Sequence, residues 1–162
     1  MKKKRNWKYS LFLVLVISSL WLFRLLIMDV VKVSGTSMLS AYKDGDMVLV
    51  QKSCSIQRYD VVVINAKRAV FFSNKYIKRV IGLPGDILQI REGQVYVNGE
   101  KLDDVVTVKM DYAGIAADEI IIGAEEYFVL GDNRNNSYDS RYEEFGIINK
   151  KDIWGKVVFP ER

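Results

Sequence analysis

An apolar run of twenty residues, Tyr9 to Met28, stands directly behind a basic N-terminus and constrains the whole chain. Twenty residues of helix rise about 30 Å, the thickness of a bilayer's hydrocarbon core. Leu11, Leu13 and Leu15 favour helix, and the β-branches of Val14, Val16 and Ile17 are no handicap in lipid. Arg24 lies one turn from the end of the run, where a long side chain can reach the interface. Trp7, Tyr9 and Trp21 sit toward its boundaries, as interfacial aromatics do. A cleaved secretory signal has the same layout, but this run is long for one and no small-x-small site comes after it. Five of the first eight residues are Lys or Arg, against Lys32 and Lys43 alone in residues 29–48. The positive-inside bias therefore predicts a transmembrane anchor over residues 9–28, residues 1–8 in the cytoplasm and residues 29–162 outside, at the plasma membrane.

The remainder is one domain of ordinary size with room for a small second lobe, within about residues 87–125. Residues 1–28 hold six positive charges and no acid, so the net charge of +4 becomes −2 over residues 29–162. A basic groove for nucleic acid is not expected from a chain charged in this way. The single cysteine, Cys54, excludes an internal disulfide and a zinc-type cysteine cluster, and reads as a small packed hydrophobe. No histidine occurs anywhere, which removes Ser-His-Asp and Cys-His mechanisms and every His-ligated metal site. Neither a metal nor an organic cofactor is expected.

After the anchor the pattern is β almost throughout. Val30–Val33, Met47–Val50, Val61–Ile64, Ile87–Ile90, Val95–Val97, Phe128–Leu130 and Val157–Phe159 are short and rich in β-branched residues. Asn98-Gly99 is a hairpin signal, Gly93 marks a second turn and Gly82–Asp86 a third. Only Lys150–Trp154 suggests a helical turn. The expected fold is mainly β, an antiparallel sheet domain behind one N-terminal helix.

Without histidine, a hydrolase needs another base. A neutral lysine can deprotonate a serine hydroxyl, but lowering its pKa from about 10.4 to about 8 takes roughly 3 kcal/mol of destabilisation of the ammonium. Burial among apolar neighbours supplies that order of magnitude. Tyr76-Ile77-Lys78-Arg79-Val80-Ile81 sets Lys78 in such a run, with Tyr76, Lys78 and Val80 on one face of a strand. Ser34-Gly35-Thr36-Ser37-Met38 sets Ser37 in a glycine-bearing turn, where backbone amides can approach a substrate carbonyl. Taken singly, a lysine in a strand usually faces water and a serine beside glycine is usually just a turn.

The motifs GTSM at 35–38, KDGDMVLVQK at 43–52, Arg58–Ile64, YIKRVIGLPGD at 76–86 and GDNRNNSYDSR at 131–141 occur in this order. In that order they resemble the type I signal peptidases, membrane-bound Ser-Lys proteases, and specifically the compact Gram-positive kind. The two eleven-residue runs match the family's motifs nearly letter for letter. The resemblance implies Ser37 as nucleophile and Lys78 as its general base. It implies Ser137 as the hydroxyl orienting the lysine, Asp139 and Arg141 as the ion pair bracing the loop, and Gly131 as the small residue leaving room behind the lysine. It implies an oxyanion site on the backbone of Ser37 and Gly35. Met38, Tyr76 and Ile77 would line shallow pockets that accept Ala-x-Ala and exclude larger side chains.

The resemblance also implies an activity: an endopeptidase that removes signal peptides from exported preproteins after a small-x-small motif. Its partners would be those preproteins, with pilin subunits as special clients, and the lipid bilayer. Two positions depart from the family pattern: Ser40 where proline is usual, and Tyr59 where glycine usually precedes the Asp60-Val61-Val62 strand. Loss of the proline frees φ at position 40 and loosens the loop bearing Ser37. Two other readings stand beside this one. One is an assembly or chaperone factor, for pilins for example, with little or no proteolysis. The other is a self-cleaving Ser-Lys regulator, disfavoured by the anchor.

Overall fold

The computed structural model describes residues 7–52, 54–65 and 75–161, with only the backbone of residues 22–26. The basic residues 1–6 lie outside the described residues.

The chain opens with a helix, α1 (Trp7–Ile27), that runs without a linker into strand β1 (Met28–Lys32). Part of the span expected over residues 9–28 falls on 22–26, whose side chains are outside the description; among the described residues no helix is long and apolar enough to cross a membrane. The Lys52 amide donates to the Ile27 carbonyl over 2.7 Å, tying the end of the helix to the sheet.

Ten further strands come after it: β2 (Met47–Gln51), β3 (Val61–Ile64), β4 (Tyr76–Gly82), β5 (Ile87–Arg91), β6 (Gln94–Val97), β7 (Glu100–Lys101), β8 (Ile120–Ile121), β9 (Glu126–Leu130), β10 (Ile148–Asn149) and β11 (Ile153–Phe159). A seven-stranded sheet takes the order β1-β2-β11-β3-β4-β9-β10, and a four-stranded sheet the order β7-β6-β5-β8. Every pairing is antiparallel. The fold is thus mainly β, as the short β-branched runs require.

Strand β2 alternates as a half-buried strand must, with Val48 and Val50 fully buried and Met47 exposed. By contrast β3 and β4 lie at the centre of the sheet and are buried on both faces, so their sequences run apolar without alternation. Lys78 and Arg79 are the two charged residues inside β4, paired in register with Val62 and Val61. One face of the sheet packs Val33, Met38, Tyr42, Val50, Val63 and Ile77 together, and Val62, Val80 and Val129 pack with Tyr76 and Phe145 in another cluster. A third cluster, including Ile81, Leu88, Phe128 and Leu130, joins the smaller sheet to the larger.

The β6–β7 hairpin turns at Asn98 and Gly99, both at positive φ (54° and 84°), the geometry for which Asn-Gly is favoured. Two strands escape the sequence reading, β8 and β10, at two residues each too short to show a pattern. The turn expected at Lys150–Trp154 is a 3-10 turn over Lys150–Asp152, after which β11 begins four residues earlier than Val157.

Candidate active site

Three segments meet above β4: the turn after β1 that carries Ser37, the strand itself at Lys78, and the loop from Gly131 to Arg141 that leaves β9. Lys78 Nζ lies 2.7 Å from Ser37 Oγ. The lysine is only 2% exposed, and burial lowers its pKa to about 8; Asp139 and Asp132 oppose that shift, and Arg141 adds to it. Desolvation wins because the nearby carboxylates are already paired with arginines. Asp139 binds Arg141 through both oxygens at 2.8 and 2.9 Å, and Asp132 binds Arg79 through both at 2.8 and 2.6 Å. Both pairs are buried, so each charge is compensated at close range and the field reaching the amine is reduced.

The Ser37 turn is held from the opposite side by asparagines. The Asn133 amide donates to the Ser37 carbonyl (2.9 Å), its side chain donates to the Thr36 carbonyl (3.1 Å), and the Asn136 side chain donates to Thr36 Oγ1 (3.2 Å). Asp139 accepts from the Gly131 amide at 3.0 Å, and Arg141 Nη2 donates to the Arg134 carbonyl at 2.6 Å, fixing the loop itself. Arg134 in turn makes a bidentate pair with Asp104, binding the segment that leaves the smaller sheet to this loop.

Ser137, expected to orient the lysine, has a buried Oγ with no hydrogen-bond partner; it faces Gly131, while the amine points to Ser37. The space left by Gly131 lies between Ser137 and the Ser37 carbonyl: a Cβ there would sit 2.1 Å from Ser137 Oγ and 2.6 Å from Ser37 O. Gly35, at φ +86°, makes the sharp turn, but its amide donates to Asp44 Oδ1 at 2.8 Å and is not available to an oxyanion. Among the described residues the Ser37 amide donates to no other group of the protein. Met38 is 1% exposed and packs in the core with Ile77, whereas Tyr76 is half-buried, its ring centroid 5.8 Å from Lys78 Nζ.

Asp139 and Arg141 form a buried ion pair. Sequence reasoning passed over Asp132, Arg79, Asn133 and Asn136, although all four stand inside the two eleven-residue runs. Their signal was position within those runs, not residue type. Of the two departures, Ser40 is exposed in the turn after Ser37, and Tyr59 takes φ +73°, the left-handed region where glycine is easiest. Tyr59 holds that conformation with its amide on Val80 O, its carbonyl accepting from Arg79 and its hydroxyl donating to Asp103 O. Among the described residues no cluster of acidic, histidine or cysteine side chains could hold a metal ion.

A buried amine at hydrogen-bond distance from a serine hydroxyl, in an antiparallel β domain without histidine, is the arrangement a serine hydrolase with a lysine base would need. Comparison with known proteins gives the family. The profile of the family described as "Signal peptidase, peptidase S26" matches residues 4–161. The signal peptidase I U of Bacillus subtilis (strain 168) is 32% identical over 168 residues, covering 96% of this chain and 88% of that protein. Signal peptidase I of Bacillus caldolyticus is 34% identical over 175 residues, covering 98% and 91%. Among solved structures, a signal peptidase I from Enterococcus faecalis V583 superposes with a TM-score of 0.52 at 29% identity, over 65% of this chain and 98% of that one. The chain belongs to the S26 signal peptidase family, which are serine peptidases.

Proposed function

We propose that the protein is a membrane-anchored endopeptidase that removes N-terminal signal peptides from exported preproteins after a small-x-small motif, with Ser37 and Lys78 as its catalytic dyad. The observation that carries this reading is the 2.7 Å contact between a buried amine and a hydroxyl. Lys78 in its neutral form accepts the Ser37 proton as Oγ attacks the scissile carbonyl. The resulting ammonium returns the proton to the departing amine nitrogen, leaving an acyl-enzyme on Ser37. Water then attacks the ester, with Lys78 again taking a proton and Ser37 regaining one. The Ser37 amide, which has no other acceptor among the described residues, is the backbone donor for the oxyanion. The unpaired Ser137 hydroxyl, across Gly131 from the Ser37 carbonyl, is an acceptor for the Lys78 ammonium while it holds the proton taken from Ser37.

The anchor rests on the apolar run and its basic flank, with residues 29–162 on the outer face and a small lobe within about 87–125. Tethering enzyme and substrate to one membrane raises the effective concentration of the cleavage site. An assembly factor for pilins gains no support from the relatives, which are named as peptidases.

Detergent-solubilised protein is assayed on a preprotein with an Ala-x-Ala site, beside Ser37→Ala and Lys78→Ala. The parent cleaves and each variant loses at least about a thousandfold in rate. Equal cleavage by all three, or none by the parent, overturns the reading.

A further inference from the structure

The indole of Trp154 carries two ammonium groups: Lys52 Nζ lies 4.7 Å and Lys75 Nζ 4.2 Å from its ring centroid. The ring is only partly buried, and its Nε1 donates to Asp29 Oδ2 at 3.1 Å. Asp29 also pairs with Lys52 at 3.7 Å and accepts from the Val30 amide at 2.9 Å. Beside the indole opens a cavity of about 430 Å³, whose walls include Lys52, Ile56, Lys150, Lys151 and Trp154. These residues are scattered along the chain, and the sheet gathers them, because β11 lies beside β2 and β2 beside β1.

The cluster holds more positive charge than its carboxylates balance. Asp29 is already engaged by the indole, the Val30 amide and Lys52. Glu125 reaches Lys150 only at 3.8 Å, with both side chains more than half exposed, a pair worth little. Lys151 is exposed on the same 3-10 turn, which contributes Asp152 as its one acid. Two ammonium groups over one ring also repel each other, and an anion shared between them relieves that repulsion. A phosphodiester suits this place: it brings one negative charge and several acceptor oxygens, and lysine donates to it as a point charge.

The position of the cluster says where that phosphodiester comes from. Asp29 is the second residue beyond the end of α1 at Ile27, and the Lys52 amide holds the Ile27 carbonyl. The indole and its lysines therefore sit at the level where α1 leaves the domain. With α1 as the anchor, that level is the membrane–water interface, where tryptophan rings settle and lysines reach the lipid phosphates. We propose that Trp154, Lys52, Lys75 and the Lys150–Lys151 turn form a docking site for the headgroup of an anionic phospholipid on the outer face of the membrane. The site rests on the anchor reading and not on the peptidase chemistry. Lys78 lies in the same seven-stranded sheet as β1, β2 and β11, so a lipid held here orients the sheet that bears the dyad against the bilayer.

The test is thermal unfolding of the detergent-solubilised full chain with added dihexanoyl phosphatidylglycerol, dihexanoyl phosphatidylcholine or inorganic phosphate. Phosphatidylglycerol in excess raises the midpoint by about 3 °C or more, and the other two by less than about 1 °C. Lys52→Gln combined with Lys75→Gln abolishes most of the shift, and Lys150→Gln combined with Lys151→Gln reduces it. Lys101→Gln, at an exposed lysine of the smaller sheet, leaves it in place. An equal shift with phosphatidylcholine, or an unchanged shift in the Lys52/Lys75 variant, overturns the site. The full shift with inorganic phosphate overturns the lipid as its occupant. Release of the chain from membranes by alkaline carbonate overturns the anchor and this site together, whereas a retained chain without the lipid shift overturns the site alone.

Discussion

Gly131 and Ser137 stand so close that a single methyl group cannot be placed between them: a Cβ at 131 would meet Ser137 Oγ at 2.1 Å and Ser137 Cβ at 2.5 Å. On its other side the same methyl would meet the Ser37 carbonyl at 2.6 Å. Gly131→Ala therefore pushes apart the loop and the Ser37 turn that Asn133 holds together. The expected outcome is a stability loss of about 1–3 kcal/mol by denaturant titration. Activity falls with it, by about a hundredfold or more in kcat. Activity within twofold of the parent would show that the turn is not held against this loop.

Breaking the buried Asp139–Arg141 pair has two separable effects. Asp139→Asn leaves the Arg141 guanidinium buried with less compensation and costs about 3–5 kcal/mol. It also removes a charge that partly offsets the desolvation of Lys78, so the lysine's pKa falls further below about 8. In whatever fraction stays folded, the midpoint of the pH–rate profile moves to lower pH. A midpoint that stays put, or rises, contradicts the electrostatic assignment.

Lys78 also writes its burial into stability. Its folded pKa of about 8 lies below the ordinary 10.5, so between these values the unfolded chain binds a proton that the folded one does not. Stability therefore rises with pH across that window and is unpenalised above it. As pH falls through 8 the folded protein carries a buried ammonium at a cost of about 3 kcal/mol. Lys78→Met should be more stable than the parent by about that amount at pH 7, the advantage shrinking toward pH 10. A parent as stable as the variant at pH 7 contradicts it.

The central strands were legible because burial on both faces leaves a largely apolar run, and the same run made Lys78 readable as a desolvated amine: Ile77, Val80 and Ile81 flank it in sequence and are buried. The asparagine clamp was not legible. An Asn-rich turn has one composition whether its side chains bond their own backbone or, as Asn133 and Asn136 do, reach Thr36 from 97 and 100 residues away. The same holds for Ser137, whose identity matches the family pattern but whose hydroxyl direction depends on packing against Gly131. Gly35 shows the converse: its positive φ was readable, but the capture of its amide by Asp44 was not.

Tyr59 offsets the cost of its left-handed backbone with contacts that glycine would lack. Tyr59→Ala keeps the conformation and loses the ring, whereas Tyr59→Gly loses the ring but relaxes φ +73°. Glycine should therefore be the more stable of the two by about 1 kcal/mol, although both fall below the parent. Thermal unfolding of the pair decides it, and equal stability would mean that no strain resides at this position.

The dependence of kcat/KM on pH, measured on one preprotein from pH 5 to 10, tests most directly whether Lys78 is the base. With a neutral amine required and burial holding its pKa to about 8, the rate is half-maximal near pH 8 and drops about tenfold per unit below it. A profile flat down to pH 5 would contradict the account, because the amine would then be charged while catalysis continued.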